Sequence, residues 1–423
     1  MKFVESNIVE LKEKFTPTML KTISAYSNFH NGYIYIGVND VGKVVGIENI
    51  VKEKSKIENI INTSITPIPF FEINILEIEN KKILEIQVFK GDNGPYYYKN
   101  TAYMRNDTST IPLDGPNLTR LVLSSKNLTF DQVKVHQTNL SFNYLKNRMK
   151  ANLGLNNFNQ DTLITFGLLK ENAYNQAALL LADNGTLNQS YVDIARFKLD
   201  TNTFLNRKKL EHGSILEYFD QAIKIFQEQY PPYQVIDGVH RITKEHIPLV
   251  AFRESLSNAI IHRDYLLSSG IQISMFDNYI EIISPGGLPK GMDEEQFLHG
   301  RVSLTRNPII ANVFFRLNLI EHFGTGIRRI IESYQTSKFK PYFDIQMARI
   351  KIILPVISFD YSKLEEKQAI ISFLSANPKS SRQRIEEVLR LEKSTLIRRL
   401  NKLEQEGIIT KIGSGPSTVY GLL

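Results

Sequence analysis

The segment at 253–262 reads RESLSNAIIH, and the spacing of its polar residues decides the fold of the surrounding region. Glu254, Asn258 and His262 recur every four residues, so a helix places all three on one face, with aliphatic residues on the other side. On such a face the Glu254 carboxylate can polarise a water molecule, and the Asn258 amide oxygen can bind Mg²⁺, which takes hard oxygen ligands. The segment therefore predicts a helix that carries a general base and a magnesium ligand.

Two glycine-containing segments follow this helix. Ser284-Pro285-Gly286-Gly287 comes after two predicted strands, and Gly324-Thr325-Gly326 opens a predicted helix that contains Arg328. Glycine lets a backbone approach phosphates closely, and a helix N-terminus supplies amide hydrogens and the positive end of a dipole. Each segment alone is typical of an ordinary turn, but their order after the Glu254 helix predicts a phosphate-binding α/β unit over residues 246–356.

This region resembles the gyrase/histidine-kinase/MutL (GHKL) ATPase superfamily, and more closely the branch found in bacterial transcription regulators described as RecG-like. The resemblance covers residues 250–332 and includes His262-Arg263-Asp264-Tyr265 besides the segments above. It implies an α/β sandwich that binds ATP and Mg²⁺, with Glu254 as general base, Asn258 as magnesium ligand and Gly324 to Gly326 closing over the phosphates. The further nucleotide-binding candidates are His262, Asp264, Ser284, Gly286, Gly287, Thr325 and Arg328.

One position departs from the superfamily. Its first glycine box begins with an Asp that reads the adenine amino group, and this chain has Ser284-Pro285 in that place. Adenine specificity and ATP hydrolysis therefore both stay open at this level. The alternative is a GHKL-type fold that binds no nucleotide and serves only as a dimer scaffold.

The first 125 residues predict a mixed α/β domain with carboxylates at strand ends. If the segment around Glu10 forms a strand, Glu10 and Lys12 project from the same side, and Asp40 follows the next predicted strand. Together with Glu5, these carboxylates can hold Mg²⁺ or Mn²⁺ for phosphodiester hydrolysis, while Lys12 steadies the developing charge. The alternative is that they are ordinary surface residues and that Asp40 belongs to a turn.

Residues 1–120 resemble the Schlafen core domain, whose bacterial relatives are AlbA-like domains described as DNA-binding modules. The matching segments include ESNIVELK at 5–12, GYIYIGVND at 32–40 and Tyr103-Met104-Arg105. In RNA-cutting Schlafens, two Glu five residues apart and an Asp after the Gly-Val strand form a metal site, and the carboxylates named above match this pattern. The resemblance implies nucleic-acid binding, with metal-dependent RNA cleavage as the alternative.

A predicted hairpin at 96–105 adds candidate nucleic-acid contacts. Tyr98, Lys99 and Arg105 place aromatic and basic groups on one element, which suits stacking against a single strand. The alternative is a plain alternation of core and surface positions along a β-hairpin.

The C-terminal region predicts a basic winged helix-turn-helix. Residues 361–423 contain 11 Lys and Arg against 7 Asp and Glu, and the net charge of the whole chain is +7. Three predicted helices precede a short hairpin, an arrangement in which the third helix enters the major groove and the wing follows phosphates. A winged helix used for protein contacts is the alternative. The candidate contacts to nucleic acid are Lys393, Thr395, Arg398, Arg399, Lys402 and Lys411.

Composition excludes several other classes of protein. Apolar residues make up 42% and charged residues 22% of the chain, as in globular proteins, and the absence of cysteine excludes disulfides and cysteine nucleophiles. No run of about 18 apolar residues and no signal-peptide pattern is found, which predicts a cytoplasmic protein without membrane association. The expected domains are 1–125, a mixed connector at 126–245, 246–356 and 361–423.

These patterns favour an α/β multidomain protein that binds ATP and nucleic acid, DNA rather than RNA, and regulates transcription as a homodimer or higher oligomer. Nucleotide occupancy would then set how the protein engages DNA. The alternative is a metal-dependent, Schlafen-like nuclease that acts on tRNA, other RNA or phage nucleic acid and is gated by the ATPase domain. The sequence does not separate ATP binding from hydrolysis, so it leaves open whether the chain is an enzyme.

Overall fold

The chain forms two compact units, Met1–Thr129 and Phe130–Leu423. The computed structural model describes residues 3–185, 190–199, 204–289, 291–299, 304–321 and 324–423. Within these ranges, no helix is both long enough and apolar enough to cross a membrane. Helices and sheets are mixed in both units, which confirms the predicted α/β multidomain class.

The N-terminal unit contains two four-stranded sheets accompanied by helices. Its elements in chain order are β1 (Val9–Lys12), α1 (Met19–Phe29), β2 (Gly32–Ile36), α2 (Ile50–Ser64), β3 (Ile65–Thr66), β4 (Phe71–Ile78), β5 (Lys81–Val88), β6 (Tyr97–Tyr98), β7 (Thr101–Asn106), β8 (Ser109–Pro112) and α3 (Gly115–Ser125). The sheet orders are β1-β2-β5-β4 and β3-β6-β7-β8. Because β1 pairs in parallel with β2, Glu10 lies opposite Ile34 at the edge of the first sheet.

Several strands of this unit pair as antiparallel hairpins. β4 pairs with β5, and β6 pairs with β7, which confirms the hairpin predicted at 96–105. The segment at 44–47 forms no strand, and only an isolated bridge joins Val38 to Val44. The backbone amides of Val45 and Gly46 both donate to the carbonyl of Gly37, so the chain turns there instead of extending a ladder.

The second unit is built around a six-stranded sheet with the order β12-β11-β15-β16-β18-β17. The elements from Asn143 to Pro355 are α4 (Asn143–Leu153), α5 (Gln160–Thr165), β9 (Leu169–Lys170), β10 (Ala173–Tyr174), α6 (Gln176–Leu181), β11 (Val192–Phe197), β12 (Phe204–Leu210), α7 (Ile215–Gln229), β13 (Tyr233–Asp237), β14 (His240–Lys244), α8 (Leu249–Ile261), β15 (Ile271–Met275), β16 (Tyr279–Pro285), α9 (Glu294–His299), α10 (Pro308–Arg316), α11 (Gly326–Ser333), β17 (Tyr342–Ile345) and β18 (Arg349–Pro355). β11 and β15 are parallel, and the other neighbours in this sheet are antiparallel.

Residues 126–245, expected as a connector, contribute directly to this sheet and its core. β11 and β12 extend the sheet, and Phe226 of α7 stacks on Phe252 of α8 with ring centroids 4.3 Å apart. Val192 of β11 pairs with Ile271 of β15. Parallel strands need a long crossover between them, so no hairpin signal in the sequence marks this pairing. The packed unit therefore extends well to the N-terminal side of residue 246.

One hairpin of the second unit stands apart from the main sheet. β13 and β14 pair with each other and with no other strand among the described residues. Near its turn, the side chains of Ile236 and Val239 are 74% and 93% exposed. The hairpin therefore lacks the packed apolar face that stabilises the other strands.

The C-terminal region confirms the predicted winged-helix plan. Its elements are α12 (Glu366–Ala376), β19 (Ser380–Ser381), α13 (Arg382–Leu389), α14 (Lys393–Gln405), β20 (Ile409–Ile412) and β21 (Val419–Leu422). Ser381 caps α13 by accepting a hydrogen bond from the Arg384 amide. On α14, Leu396, Leu400 and Leu403 are buried, as their spacing indicates. The opposite face of α14 therefore points away from this core.

A buried asparagine joins the winged helix to the six-stranded sheet. Asn278, which immediately precedes β16, is fully buried, and its Nδ2 donates to the Ser372 carbonyl at 2.6 Å and to Ser372 Oγ at 3.0 Å. Phe276, Tyr279 and Ile353 pack with Ala376 of α12 around this contact. The helix α12 is thus fixed to the end of β16 by both polar and apolar contacts.

Replacing Asn278 with alanine is expected to lower the free energy of unfolding by about 1–3 kcal/mol, because two buried groups of Ser372 lose their donor. Urea unfolding followed by circular dichroism measures this change. Asn401→Ala, at an exposed position of α14, is the matched control and is expected to stay within about 0.5 kcal/mol of the parent. An equal effect of both variants would contradict the structural role of Asn278.

Candidate functional site

Glu254, Asn258 and His262 line one pocket, as the helical spacing predicts. The pocket has a volume of about 210 Å³ and lies between α8, α10 and the start of α11. Gly324, Thr325 and Gly326 form the opposite wall. The structure therefore brings together the helix that carries the candidate base and the glycine segment that begins 70 residues after Glu254.

The start of α11 approaches α8 at Gly326. A Cβ atom at this position would lie 3.0 Å from Glu254 Oε2 and 3.2 Å from Asn258 Nδ2. Both distances are shorter than ordinary van der Waals contacts of a methyl group. A side chain at 326 would therefore press against Glu254 and Asn258, and the start of α11 lies beside these two side chains.

Two buried polar atoms of this wall are available to a ligand. Glu254 is 4% exposed, and its Oε1 is in contact only with the Arg329 guanidinium, while Asn258 Nδ2 forms no hydrogen bond with any described residue. Burial raises the pKa of Glu254, although the guanidinium groups of Arg329 and Arg253 oppose the shift. Buried polar atoms without partners are rare in native proteins and are frequent where a ligand binds. Asn258 Nδ2 therefore marks the pocket as a candidate binding site.

The Ser284-Pro285-Gly286-Gly287 segment is held by bonds to the protein. Ser284 Oγ donates to the Ala259 carbonyl at 2.9 Å, and the amides of Gly286 and Gly287 donate to the carbonyls of Ala348 and Met347. Gly286 has a φ of +97°, in the region that favours glycine. The side chain of Ser284 faces a neighbouring apolar cavity of about 20 Å³ instead of the main pocket. The predicted nucleotide contacts of this segment stay predictions.

His262 and Asp264 lie at the C-terminal end of α8. Burial and the Arg306 guanidinium lower the pKa of His262 to about 4, so this imidazole is neutral at pH 7. Arg306 donates to the carbonyls of His262 and Gly287 at 2.8 Å each and so ties the helix end to the glycine segment. Asp264 Oδ1 accepts from the Leu266 amide at 3.0 Å, which fixes the turn after the helix.

The two arginines of α11 contact different carboxylates. Arg328 is exposed and pairs with Glu332 one turn further along, at 2.6 Å. Arg329 Nη1 lies 3.0 Å from Glu254 Oε1 and 2.9 Å from Glu321 Oε1, and both carboxylates belong to pocket residues. Arg328, which the sequence analysis selected, lies away from this pocket. Once Gly326 is known to contact α8, the spacing of three residues places Arg329 on the same face of α11.

The carboxylates of the N-terminal unit surround an ammonium group. Lys12 Nζ lies 3.3 Å from Glu5 Oε1, 3.1 Å from Glu10 Oε1 and 3.8 Å from Asp40 Oδ1. Burial alone lowers the pKa of Lys12, but Glu10 and Glu5 outweigh this effect and raise it above its ordinary value. The structure therefore brings together the four residues that the sequence predicts, with the lysine between the acids.

Arg105 is a second cation of this cluster and contacts Glu10 from β7. Its side chain is 2% exposed, and Nη1 donates to Glu10 Oε2 at 2.8 Å while Nη2 donates to the Ser6 carbonyl at 3.0 Å. Tyr98 is also buried, at 6% exposure, so neither Tyr98 nor Arg105 is presented at the surface for the predicted contact with nucleic acid. Of the three hairpin candidates, Lys99 at the exposed turn is accessible.

Most candidate contacts on the winged helix are accessible. Lys393, Arg398 and Lys402 are exposed on α14, and Lys411 is exposed on the wing strand β20. Thr395 is half-buried. Arg399 is also half-buried, and its Nε donates to Glu366 Oε2 of α12 at 2.8 Å. The basic surface of α14 therefore depends mainly on Lys393, Arg398 and Lys402.

Comparison with protein families assigns all three regions. Residues 5–114 match the family described as "Schlafen, AlbA_2". Residues 268–354 match "Putative ATP-dependent DNA helicase recG C-terminal", and residues 367–410 match "Winged helix-turn-helix DNA-binding". The chain therefore contains three regions that match these families, and the RecG C-terminal match begins after α8. These assignments agree with the resemblances that the sequence indicates.

The solved structures that are similar to this chain include the following two. The DIP2311 protein from Corynebacterium diphtheriae is 19% identical, with a TM-score of 0.49, over 99% of this chain and 92% of that chain. The N-terminal domain of a protein titled "Putative ATP-dependent DNA Helicase RecG-related Protein", from Nitrosomonas europaea, is 21% identical, with a TM-score of 0.22, over 26% of this chain and 82% of that chain. No curated relative matches the chain.

The residues that line the pocket between α8, α10 and α11 fit the phosphate end of a nucleotide with its magnesium ion. Asn258 offers an amide oxygen, Glu254 offers a carboxylate, and the amides from Gly324 to Gly326 open a helix. Pockets for whole drug-sized ligands usually measure roughly 300–1,000 Å³. At about 210 Å³ this pocket accommodates phosphates and a metal ion better than a complete nucleoside triphosphate.

The carboxylates of the AlbA_2 domain do not fit a metal ion in this arrangement. No group of three or more His, Asp or Glu side chains in the described ranges is placed to hold one. Lys12 Nζ lies at the point where the three carboxylates converge. The nuclease hypothesis therefore gains no support from this geometry.

Proposed function

We propose that this chain is an ATP-binding, DNA-binding transcription regulator in which nucleotide occupancy sets how the winged helix engages DNA. The observation that carries the proposal is the buried Asn258 Nδ2, which has no hydrogen-bond partner among the described residues, beside the buried Glu254 carboxylate in a pocket that Gly324, Thr325 and Gly326 also line. Bound ATP supplies the phosphoanhydride bond and Mg²⁺ supplies charge neutralisation. Asn258 would hold the metal ion, and Glu254 would accept a proton from the attacking water.

A structural connection supports coupling between the pocket and the winged helix. β16 runs from Tyr279 to Pro285, and Asn278, which precedes it, bonds to Ser372 of α12. At its other end, Ser284 bonds to the Ala259 carbonyl of α8, the helix that carries the pocket residues. One hydrogen-bonded strand therefore connects the pocket helix to the DNA-binding region, so a shift at one end can be transmitted to the other.

The proposal is tested by measuring nucleotide binding and DNA binding separately. Saturating ATP with Mg²⁺, at about 100 times its Kd, is expected to stabilise the protein by about 2.7 kcal/mol, seen as a rise in melting temperature. An electrophoretic shift of duplex DNA, with and without ATP, then tests the coupling. Light scattering under both conditions tests the proposed homodimer. A melting temperature unchanged by ATP, ADP and other nucleotides would refute the proposed function.

The same gel tests the nuclease hypothesis. Labelled tRNA, single-stranded DNA and duplex DNA are incubated with Mn²⁺ or Mg²⁺, beside a Glu10→Ala control. Cleavage that needs the metal and is lost in the control would show that the cluster around Lys12 rearranges to form an active site. Intact nucleic acid under all conditions is the result expected from the geometry of this cluster.

Replacing Arg398 with alanine is expected to weaken DNA binding by about tenfold or more, because its exposed guanidinium lies on the recognition helix. Lys363→Ala removes one positive charge from an exposed site outside α14 and serves as the charge-matched control. Titrations at two salt concentrations measure both variants. If both variants weaken binding equally, the effect reflects overall charge, and α14 is not the recognition helix.

A further inference from the structure

Arg329 occupies a position that neither the domain comparisons nor the sequence motifs assign. Its Nη1 lies 3.0 Å from Glu254 Oε1 and 2.9 Å from Glu321 Oε1, so the guanidinium bridges two carboxylates that line the pocket. The Arg329 side chain is 32% exposed, whereas that of Glu254 is 5% exposed. The buried carboxylate thus meets a half-buried cation on the side that faces solvent.

The remaining donors of Arg329 are not used by the protein. A guanidinium has five N–H donors in a planar fork. Nε and Nη2 of Arg329 form no hydrogen bond or ion pair with the residues that the structure describes, and Nη1 makes only the two carboxylate contacts. Planar forks of this kind match the oxygens of a phosphate, to which arginine commonly donates two parallel bonds.

In the absence of nucleotide, a neighbouring cation stabilises the buried, charged carboxylate of Glu254. A buried carboxylate without a partner is costly, and breaking a buried ion pair leaves an uncompensated charge. While Arg329 holds Glu254 Oε1, that oxygen is occupied by a charge partner and is less able to accept a proton from water. A phosphate that draws the guanidinium away would free the carboxylate at the time when a base is needed.

We propose that Arg329 is the phosphate-contacting arginine of this pocket and that it holds Glu254 in an ion pair until a nucleotide phosphate competes for the guanidinium. This inference rests on the proposed nucleotide binding. It assigns two linked roles to one side chain: a counter-ion of Glu254 in the free protein, and a ligand of the terminal phosphates in the bound protein. Arg329 is a positioning residue for Glu254 in the first role.

The neighbouring arginine provides a matched control. Arg328 lies on the same helix, carries the same charge and is 72% exposed, but it pairs with Glu332 away from the pocket. Arg328→Gln and Arg329→Gln therefore remove the same group at adjacent positions. A difference between them reports on the pocket contact and not on the overall charge of the protein.

The first experiment measures ATP and ADP binding with Mg²⁺ by calorimetry in the full chain. Arg329→Gln is expected to weaken ATP binding by about tenfold to a hundredfold, the range for loss of charged hydrogen bonds, while Arg328→Gln changes it less than about threefold. Arg329→Lys keeps the positive charge but loses the planar guanidinium, so its ATP affinity is expected to lie between those of the two glutamine variants. Equal losses in both glutamine variants would overturn the proposal while leaving nucleotide binding intact.

The second experiment needs no nucleotide and tests the ion pair directly. A double-mutant cycle compares unfolding of the parent, Glu254→Gln, Arg329→Gln and the double variant. The double variant is expected to be more stable than the two single changes predict, because no charge is left unpaired. Additive effects would overturn the ion-pair role. If the parent binds no nucleotide at all, the proposed function and the phosphate-binding role of Arg329 are both refuted. The double-mutant cycle still shows whether Arg329 and Glu254 form a stabilising ion pair.

Discussion

Replacing Glu254 with glutamine is expected to slow ATP hydrolysis by about 10²- to 10⁴-fold, the usual contribution of a general base. Glutamine keeps the size of the side chain, so it does not disturb the close contact with Gly326. It removes the carboxylate, which is buried and beside the Asn258 amide. We expect the ATP affinity to change far less than the rate, because the phosphates are held by other groups of the pocket. Single-turnover hydrolysis and calorimetric binding measure the two quantities separately.

Glu332→Gln is the control for this variant. Glu332 lies on α11, is half exposed and pairs with Arg328 outside the pocket, so its loss is expected to leave hydrolysis unchanged. The pH dependence provides a further check. Because burial raises the pKa of Glu254, the rate is expected to fall on acidification at a pH above the ordinary glutamate value of 4.5. Hydrolysis by Glu254→Gln at the parent rate would assign the base to another residue.

Replacing Arg105 with methionine is expected to lower the free energy of unfolding by about 3–5 kcal/mol, as for other buried ion pairs that lose one partner. Arg105 is 2% exposed, and its removal leaves Glu10 without its shortest partner and the Ser6 carbonyl without a donor. Lys12 still contacts Glu10, so we expect the loss to fall near the lower end of that range. Urea unfolding followed by circular dichroism measures it.

Two variants separate this effect from a general loss of charge. Lys99→Met removes a cation from the exposed turn of the same hairpin and is expected to change stability by less than about 0.5 kcal/mol. The double variant Glu10→Gln with Arg105→Met removes both charges and should be more stable than Arg105→Met alone. If Arg105→Met unfolds like the control, the buried pair contributes nothing to stability.

The periodicity of α8 was sufficient to predict its pocket face. Residues four apart must share a face of a helix, so Glu254, Asn258 and His262 could be grouped without knowledge of the tertiary structure. The choice between Arg328 and Arg329 required the register of α11 relative to α8. That register depends on the contact of Gly326 with Glu254 and Asn258, which is a tertiary packing constraint and leaves no local signal.

Two other features could not be predicted from local patterns. The convergence of Glu5, Glu10 and Asp40 was predictable from strand ends, but the placement of Lys12 Nζ among them depends on a flexible side chain. β11 joins the ATPase sheet by pairing in parallel with a distant strand, and such long-range pairing has no signature at either strand. The region before residue 246 was therefore interpreted as a connector.

The isolated hairpin β13–β14 lies in the sequence between two groups of strands that form one sheet. β11 and β12 precede the hairpin and β15 to β18 follow it, and all six strands belong to the same sheet. Isolated hairpins are marginally stable in water, and exposed loop tips are the preferred sites of proteolytic cleavage. A protease that cuts between Ile236 and Val239 would leave two fragments held together by the pairing of Val192 with Ile271. The same site is therefore suited to producing the protein as two complementing halves.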